Sequence, residues 1–394
     1  MIRLLAALAI VGGTIHTGRG PALENATVLI DGDRIVAVGP DVDVPRGAFV
    51  IDARESQITP GFVHVGSRLG VEEVALESSS VEATLPPASD PVRAALRVAD
   101  TFDTHTLVLP ESRIAGITSA VVVPIGGVVS GLALWADLAD PANIVRRDVA
   151  LRLAIEGSAQ EGTRAAAFLR LREVFEDARL YRDNRGPYLT RRLRDLSASH
   201  QDLQVLERAL SRELPVLFEV NRASDIQTAL EITRDYRLRA ILTGVAEGWI
   251  VAGEIARSGV PVVVDPLDTL PRNFDRLRSR RDLAARMHRA GVTVAFTCRD
   301  PFVRAPRLRL AAGNAVAEGF PYSDALAAIS RVPAEILGRS DAGEIRPGAV
   351  ANIVVWNGDP LEPSSWPVHV LVRGRETDLR SRPDLLTERY LSRR

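Results

Sequence analysis

Lysine is absent from this chain: all 49 basic residues among its 394 are arginine. That excludes a lysine Schiff base, a lysine general base and a carboxylated-lysine metal bridge. Cysteine is nearly absent, with Cys298 the single example. No internal disulfide and no cysteine-based zinc site can form, which fits a cytoplasmic protein. Long apolar runs are missing, and none reaches the roughly 18 residues that a membrane-spanning helix needs. The first residues, MIRLLAALAIV, carry one arginine and a short apolar run. They read as a first β-strand or, alternatively, as a short or truncated signal peptide. An excess of one charge is missing too. The 49 basic and 50 acidic residues leave a net charge of -1, which gives no electrostatic case for nucleic acid or an anionic membrane. There is no GxSxG elbow, P-loop or GxGxxG motif.

What is present is ordinary globular composition, 46% hydrophobic and 25% charged, and a clear change of pattern along the chain. Residues 10–58 are strand-like, with TVLI and RIVAVG broken by the turn signals DGD and GP. Strand patterns return in ANIVVW (351–356) and VHVLVRG (368–374). Between them, short apolar strands alternate with helical stretches. Strands are expected at 116–124, 215–220, 238–244, 259–266 and 291–297. Helices are expected at 146–160, 162–182, 199–213, 224–236, 247–258, 278–290 and 307–318. Strand–helix alternation means parallel strands with crossover helices. Runs such as VVV need cover on both faces, which a barrel supplies. The expected architecture is α/β: a TIM-like (β/α)8 barrel over 59–340, with a small β-sandwich built from 1–58 and 341–394. A doubly wound sheet is the alternative. In a barrel, function belongs at the C-terminal ends of the strands.

Four segments carry a resemblance to a known family: GGTIHTGRGPALENATVLIDGDRIVAVG (12–39), VIDARESQITPGFVHVGSRLG (50–70), PVLFEVNRASDIQTALEI (215–232) and 308–360, which ends AGEIRPGAVANIVVWNGDP. Together they resemble the amidohydrolase superfamily, nearest its imidazolonepropionase and prolidase-like branch. The resemblance implies hydrolysis of carbon–nitrogen bonds, in amides or cyclic amides, by metal-activated water. It also implies an HxH ligand pair in the context PGFxDxHxHxG. Here the segment is PGFVHVGSRLG, so the two histidine positions fall at Gly66 and Arg68. Glycine offers no side-chain ligand, and arginine carries a fixed positive charge. His64 lies two residues before the first ligand position, on the same side of an extended strand as Gly66. At the fifth strand the equivalents are Glu219 and Asn221, followed by Arg222. The sixth strand ends in Thr243 and Gly244 without a histidine. By count Arg299 takes the place of the last acid, with Asp300 one residue late.

The leading expectation is therefore an amidohydrolase-family protein that has lost metal-dependent hydrolysis. It would act as a binding protein or as the partner of an active relative, in a homodimer or heteromer. No cofactor is expected. Its ligand-binding candidates are His64, Arg68, Asn221, Arg222 and Arg299, and the ligand is a small anion or a peptide-like molecule. One or more Arg–carboxylate pairs, drawn from Arg68, Arg222 and Arg299 with Glu219 and Asp300, are expected in the old metal position. The first alternative is an active hydrolase with a shifted site, holding zinc or another divalent metal through His64, Glu219 and Asp300, with Asp300 or Glu219 catalytic. The second is a purely structural or regulatory subunit. Two local features stay open. The glycine-rich PIGGVVSG (124–131) is a tight turn or a backbone cradle for an anion. Cys298 is a structural or incidental cysteine or one whose pKa is lowered by Arg299.

Overall fold

In a computed structural model the chain is described over residues 7–86, 89–155, 162–190, 192–298 and 307–391. Two eight-stranded sheets account for its strands. The first gathers both ends of the chain: β1 (Leu8–Ile15), β2 (Leu23–Asp31), β3 (Arg34–Gly39), β4 (Phe49–Asp52), β5 (Gln57–Pro60), β14 (Ile353–Trp356), β15 (Pro367–Val372) and β16 (Arg375–Glu376). The join is antiparallel, with Ile353 opposite Pro60 and Trp356 opposite Gln57. Ile10, Ile15, Val28, Ile58, Ile353 and Val355 form one buried cluster across it, so neither end can bury its apolar face without the other.

The second sheet runs β6 (Phe62–Ser67), β7 (Ile117–Val122), β8 (Val129–Asp137), β9 (Asn143–Ala154), β10 (Val216–Val220), β11 (Ala240–Gly244), β12 (Val262–Val264) and β13 (Val294–Phe296), each strand beside the next. It curls into a near-closed barrel. The outer strands β6 and β13 are tied at their C-terminal ends. Thr297 Oγ1 donates to the Val65 carbonyl at 2.5 Å, and His64 Nε2–H donates to the Cys298 carbonyl at 3.1 Å. Alternate residues face opposite ways. Val63, Val65, Val121, Leu217, Ile241, Val263 and Ala295 belong to one core cluster, inside the barrel. Their neighbours Phe62, Val122, Phe218, Leu242, Val264 and Phe296 belong to another, under the helices. The helix Arg331–Ile336 plugs the N-terminal end of the barrel, its Val332 and Ala334 joining the interior cluster.

Two expectations need correction. The helix read at 146–160 is instead β9 as far as Ala154, and β7–β8–β9 form an antiparallel meander rather than βα units. The stretch VALRLA is rich in good helix formers, but it also alternates, and its partners decide: Leu151 and Leu153 join the outer core while Ala150 faces the interior. The turn signals PIGG and ADPA on either side of β8 mark two hairpins, too short for a crossover helix.

The two sheets are locked together at a few polar points. Arg373, after β15, reaches Asp137 on β8 at 3.1 Å, and Asn352 Nδ2, just before β14, donates to Ser119 Oγ on β7 at 3.2 Å. A Cβ on Gly116, whose φ is +79°, would sit 2.6 Å from the Trp356 ring, so only glycine lets the tryptophan dock there.

Candidate functional site at the C-terminal mouth of the barrel

Interior alternation fixes which side chains reach the mouth. On β10, Leu217 faces inward, and so does Glu219 two residues on; on β9, Ala150 faces inward, and so does Arg152. The two strands are parallel, with Glu219 opposite Ala154. Glu219 is only 3% exposed, and its Oε2 lies 2.5 Å from Arg152 Nη2. Arg152 Nη1 donates to Ser130 Oγ at 2.8 Å. Arg276 approaches Glu219 Oε1 from the loop after β12, at 3.9 Å, and also contacts Asp268. A third guanidinium, Arg164, spans Asp225 at 3.2 Å and also contacts Asp275. Burial raises the Asp225 pKa above the usual carboxylate range, while Arg222 and Arg164 oppose the shift. Glu219, Asp225, Asp268 and Asp275 thus each meet a guanidinium across the mouth.

The carboxylate of Glu219 is paired with Arg152, which is not one of the expected arginines. Arg68 turns to Glu72, four residues on, at 2.5 Å, rather than to Glu219. Burial lifts the Glu72 carboxyl above its usual range, and Arg68 pulls it back. Arg222 precedes the helix Ala223–Asp235, where its charge acts on Asp225. Asn221 is buried, and its Oδ1 has no hydrogen-bond partner among the described residues. Glycine at 244 makes room for it, since a Cβ there would lie 2.6 Å from that oxygen. Arg299 and Asp300 lie outside the described residues.

His64 and Gly66 are not related by the plain strand alternation that the sequence suggests. Gly66 sits at a register shift between Val65 and Ser67 with φ of +82°, which breaks the alternation of β6. His64 lies on the face opposite Val63 and Val65, in the seam with Cys298. Its Nε2 must carry the proton it donates to the Cys298 carbonyl. Burial lowers the His64 pKa, with that hydrogen bond acting the other way. Cys298 is buried, with its Sγ 3.7 Å from His64 Nε2. The glycine-rich turn is shaped by packing: a Cβ on Gly126 would lie 2.6 Å from the Leu85 carbonyl oxygen, and one on Gly131 2.5 Å from that of Leu96.

Among the described residues, the donor set does not fit a divalent metal. Gly66 has no ligand atom, Arg68 is cationic, the ring nitrogen of His64 on this side is a donor already in use, and Glu219 is held by Arg152. Among the described residues no three His, Cys, Asp or Glu side chains converge as a metal would require. Arg152, Arg164 and Arg276 do not stand out in the sequence. The signal that could have found Arg152 is its phase: with β9 read as a strand, it falls at an inward position, where an arginine must meet an acid.

Comparison with known proteins agrees with this architecture. Residues 225–377 match the model of the Amidohydrolase family. An 85-residue segment is 36% identical to amidohydrolase tasK of Hapsidospora irregularis, spanning 21% of this chain and 9% of that protein. Among solved structures, an amidohydrolase from Thermotoga maritima superposes with a TM-score of 0.86 at 23% identity, covering 95% of this chain and all of the other. Molinate hydrolase superposes with a TM-score of 0.61 at 16% identity, over 96% of both chains. A prolidase complexed with N-methylphosphonate-L-proline gives 0.58 at 18% identity, over 94% of this chain and 99% of the other. The fold is that of these solved amidohydrolases, and residues 225–377 are similar to the Amidohydrolase family. No helix among the described residues is long and apolar enough to cross a membrane.

Proposed function

We propose that this protein is an amidohydrolase relative that has lost metal-dependent hydrolysis of carbon–nitrogen bonds. It now binds a small ligand at the barrel mouth or serves as the partner of an active relative. The observation that carries the reading is the buried Arg152–Glu219 pair. A guanidinium there supplies the positive charge that a metal would otherwise bring, and it neutralises the carboxylate that a metal would need. The buried Asn221 Oδ1 supports ligand binding, because an acceptor without a partner is available to a ligand N–H.

The test is the metal content of protein purified without chelator, measured by elemental mass spectrometry. Less than about a tenth of an equivalent of any transition metal is expected. Near one equivalent, lost on Glu219→Gln, would overturn the reading and restore the alternative of an active hydrolase with a shifted site.

A further inference from the structure

The N-terminal ends of the strands, opposite the mouth, hold a second cluster of arginines. Arg212 and Arg237 occupy equivalent places in two successive units, each in the turn between a helix and the next strand, before β10 and β11. Both hold left-handed backbone, with φ of +64° and +53°. Glycine is the usual residue at such a helix end, and Gly259 fills the corresponding place before β12 with φ of +68°. A side chain in that conformation is strained, and retained strain points to a use for the side chain.

These arginines lack the carboxylates that engage those at the mouth. Arg212 Nη1 donates to the Arg237 carbonyl, at 3.4 Å, and Arg239 Nη2 donates to the Ile336 carbonyl at 3.1 Å. Among the described residues no ion pair is formed by Arg212, Arg237 or Arg239. All three line one cavity of about 1150 Å³. Of the acids on the same walls, Glu254 accepts from Gln227 and Glu335 contacts Arg19 and Arg331, while Glu231 lies exposed on its helix. Burial lowers the Arg239 pKa, and the charges of Arg146 and Arg212 lower it further. The cluster therefore repels itself unless an anion enters.

We infer that this cavity binds a small anion carrying two or more negative charges, of the diphosphate or polycarboxylate class, through Arg212, Arg237 and Arg239. Planar guanidinium groups suit bidentate recognition of either oxyanion.

The test uses isothermal titration calorimetry of inorganic pyrophosphate, with citrate as a second arm, at fixed ionic strength. The protein is compared with an Arg212→Gly/Arg237→Gly variant. Glycine suits both backbone positions, so the variant's melting temperature without anion should be unchanged or higher. Saturable binding, one anion per chain, is expected in the parent, weakened about tenfold or more in the variant. The tighter of the two anions names the ligand chemistry. Equal affinity in both proteins would overturn the inference, as would a weak, non-saturating response in the parent, which signifies an adventitious ion only.

Discussion

The two ends of the barrel use the same cation differently. At the C-terminal mouth, Arg152, Arg164 and Arg276 are each set against buried carboxylates from neighbouring strands and loops. At the N-terminal end, Arg212, Arg237 and Arg239 face one another and backbone carbonyls. A paired guanidinium at a buried site is a structural neutraliser, since removing either partner strands the other charge. A cluster without carboxylate partners contributes little to the fold. It raises the local potential and favours an incoming anion. The mouth, where this fold family would place its chemistry, is thus electrostatically closed, and the opposite end is open.

The strongest way to break that contrast is at Arg152. Arg152→Ala should destabilise the protein by about 3 kcal/mol or more, because the buried Glu219 carboxylate loses the guanidinium 2.5 Å from it. Arg152→Met combined with Glu219→Leu should recover most of the loss, or exceed the parent, since a packed apolar pair needs no desolvation of charge. Urea unfolding of the three proteins measures both. Single and double variants of equal stability would mean that the pair does not neutralise the mouth.

Much of this is legible in the sequence, and the failures have physical causes. The composite first sheet and the strands from 215 to 297 follow from short-range pattern, and the resemblance puts Gly66 and Arg68 where a family HxH pair would fall. Period-2 apolar runs, turn residues and the chemistry of Gly66 and Arg68 do not depend on distant partners. β9 reads as a helix because VALRLA satisfies helix propensity as well as strand alternation, and only Leu151 and Leu153 packing under the helices decides between them. That one ambiguity hides Arg152, and with it the partner of Glu219. The facing of His64 escapes a strand count because a bulge with left-handed Gly66 interrupts the strand. Glycine signals such freedom without saying where it will be used.

Arg68 tests the contrast on a smaller scale. Its partner Glu72 is 1% exposed, and its folded pKa is raised, chiefly by burial. A carboxyl with a raised folded pKa contributes stability below its unfolded value, near 4.3, and loses it as pH rises through the folded value. Arg68 offsets that loss by favouring the charged form. Arg68→Ala should therefore cost about 1–2 kcal/mol at pH 7 and much less at pH 4, where Glu72 is protonated in the folded state and largely so in the unfolded one. Unfolding free energies at the two pH values decide; an equal loss at both would show that Arg68 acts through packing alone.

The smallest expected effect lies at the seam, where neither end's arginines reach. His64 closes β6 against β13 as a neutral donor to the Cys298 carbonyl, and burial holds its folded pKa below the ordinary 6.5. For a base shifted downward, the unfolded chain takes the proton first. Stability from this group is thus fully present above pH 6.5 and drains away as pH falls from there through the lowered folded value. The side-chain amide introduced by His64→Gln would keep an N–H for the same carbonyl and would not titrate. The parent should therefore lose stability more steeply than His64→Gln as pH drops below about 6.5, with the two curves running parallel above it. Parallel curves throughout would show that the imidazole keeps its ordinary affinity for protons in the fold.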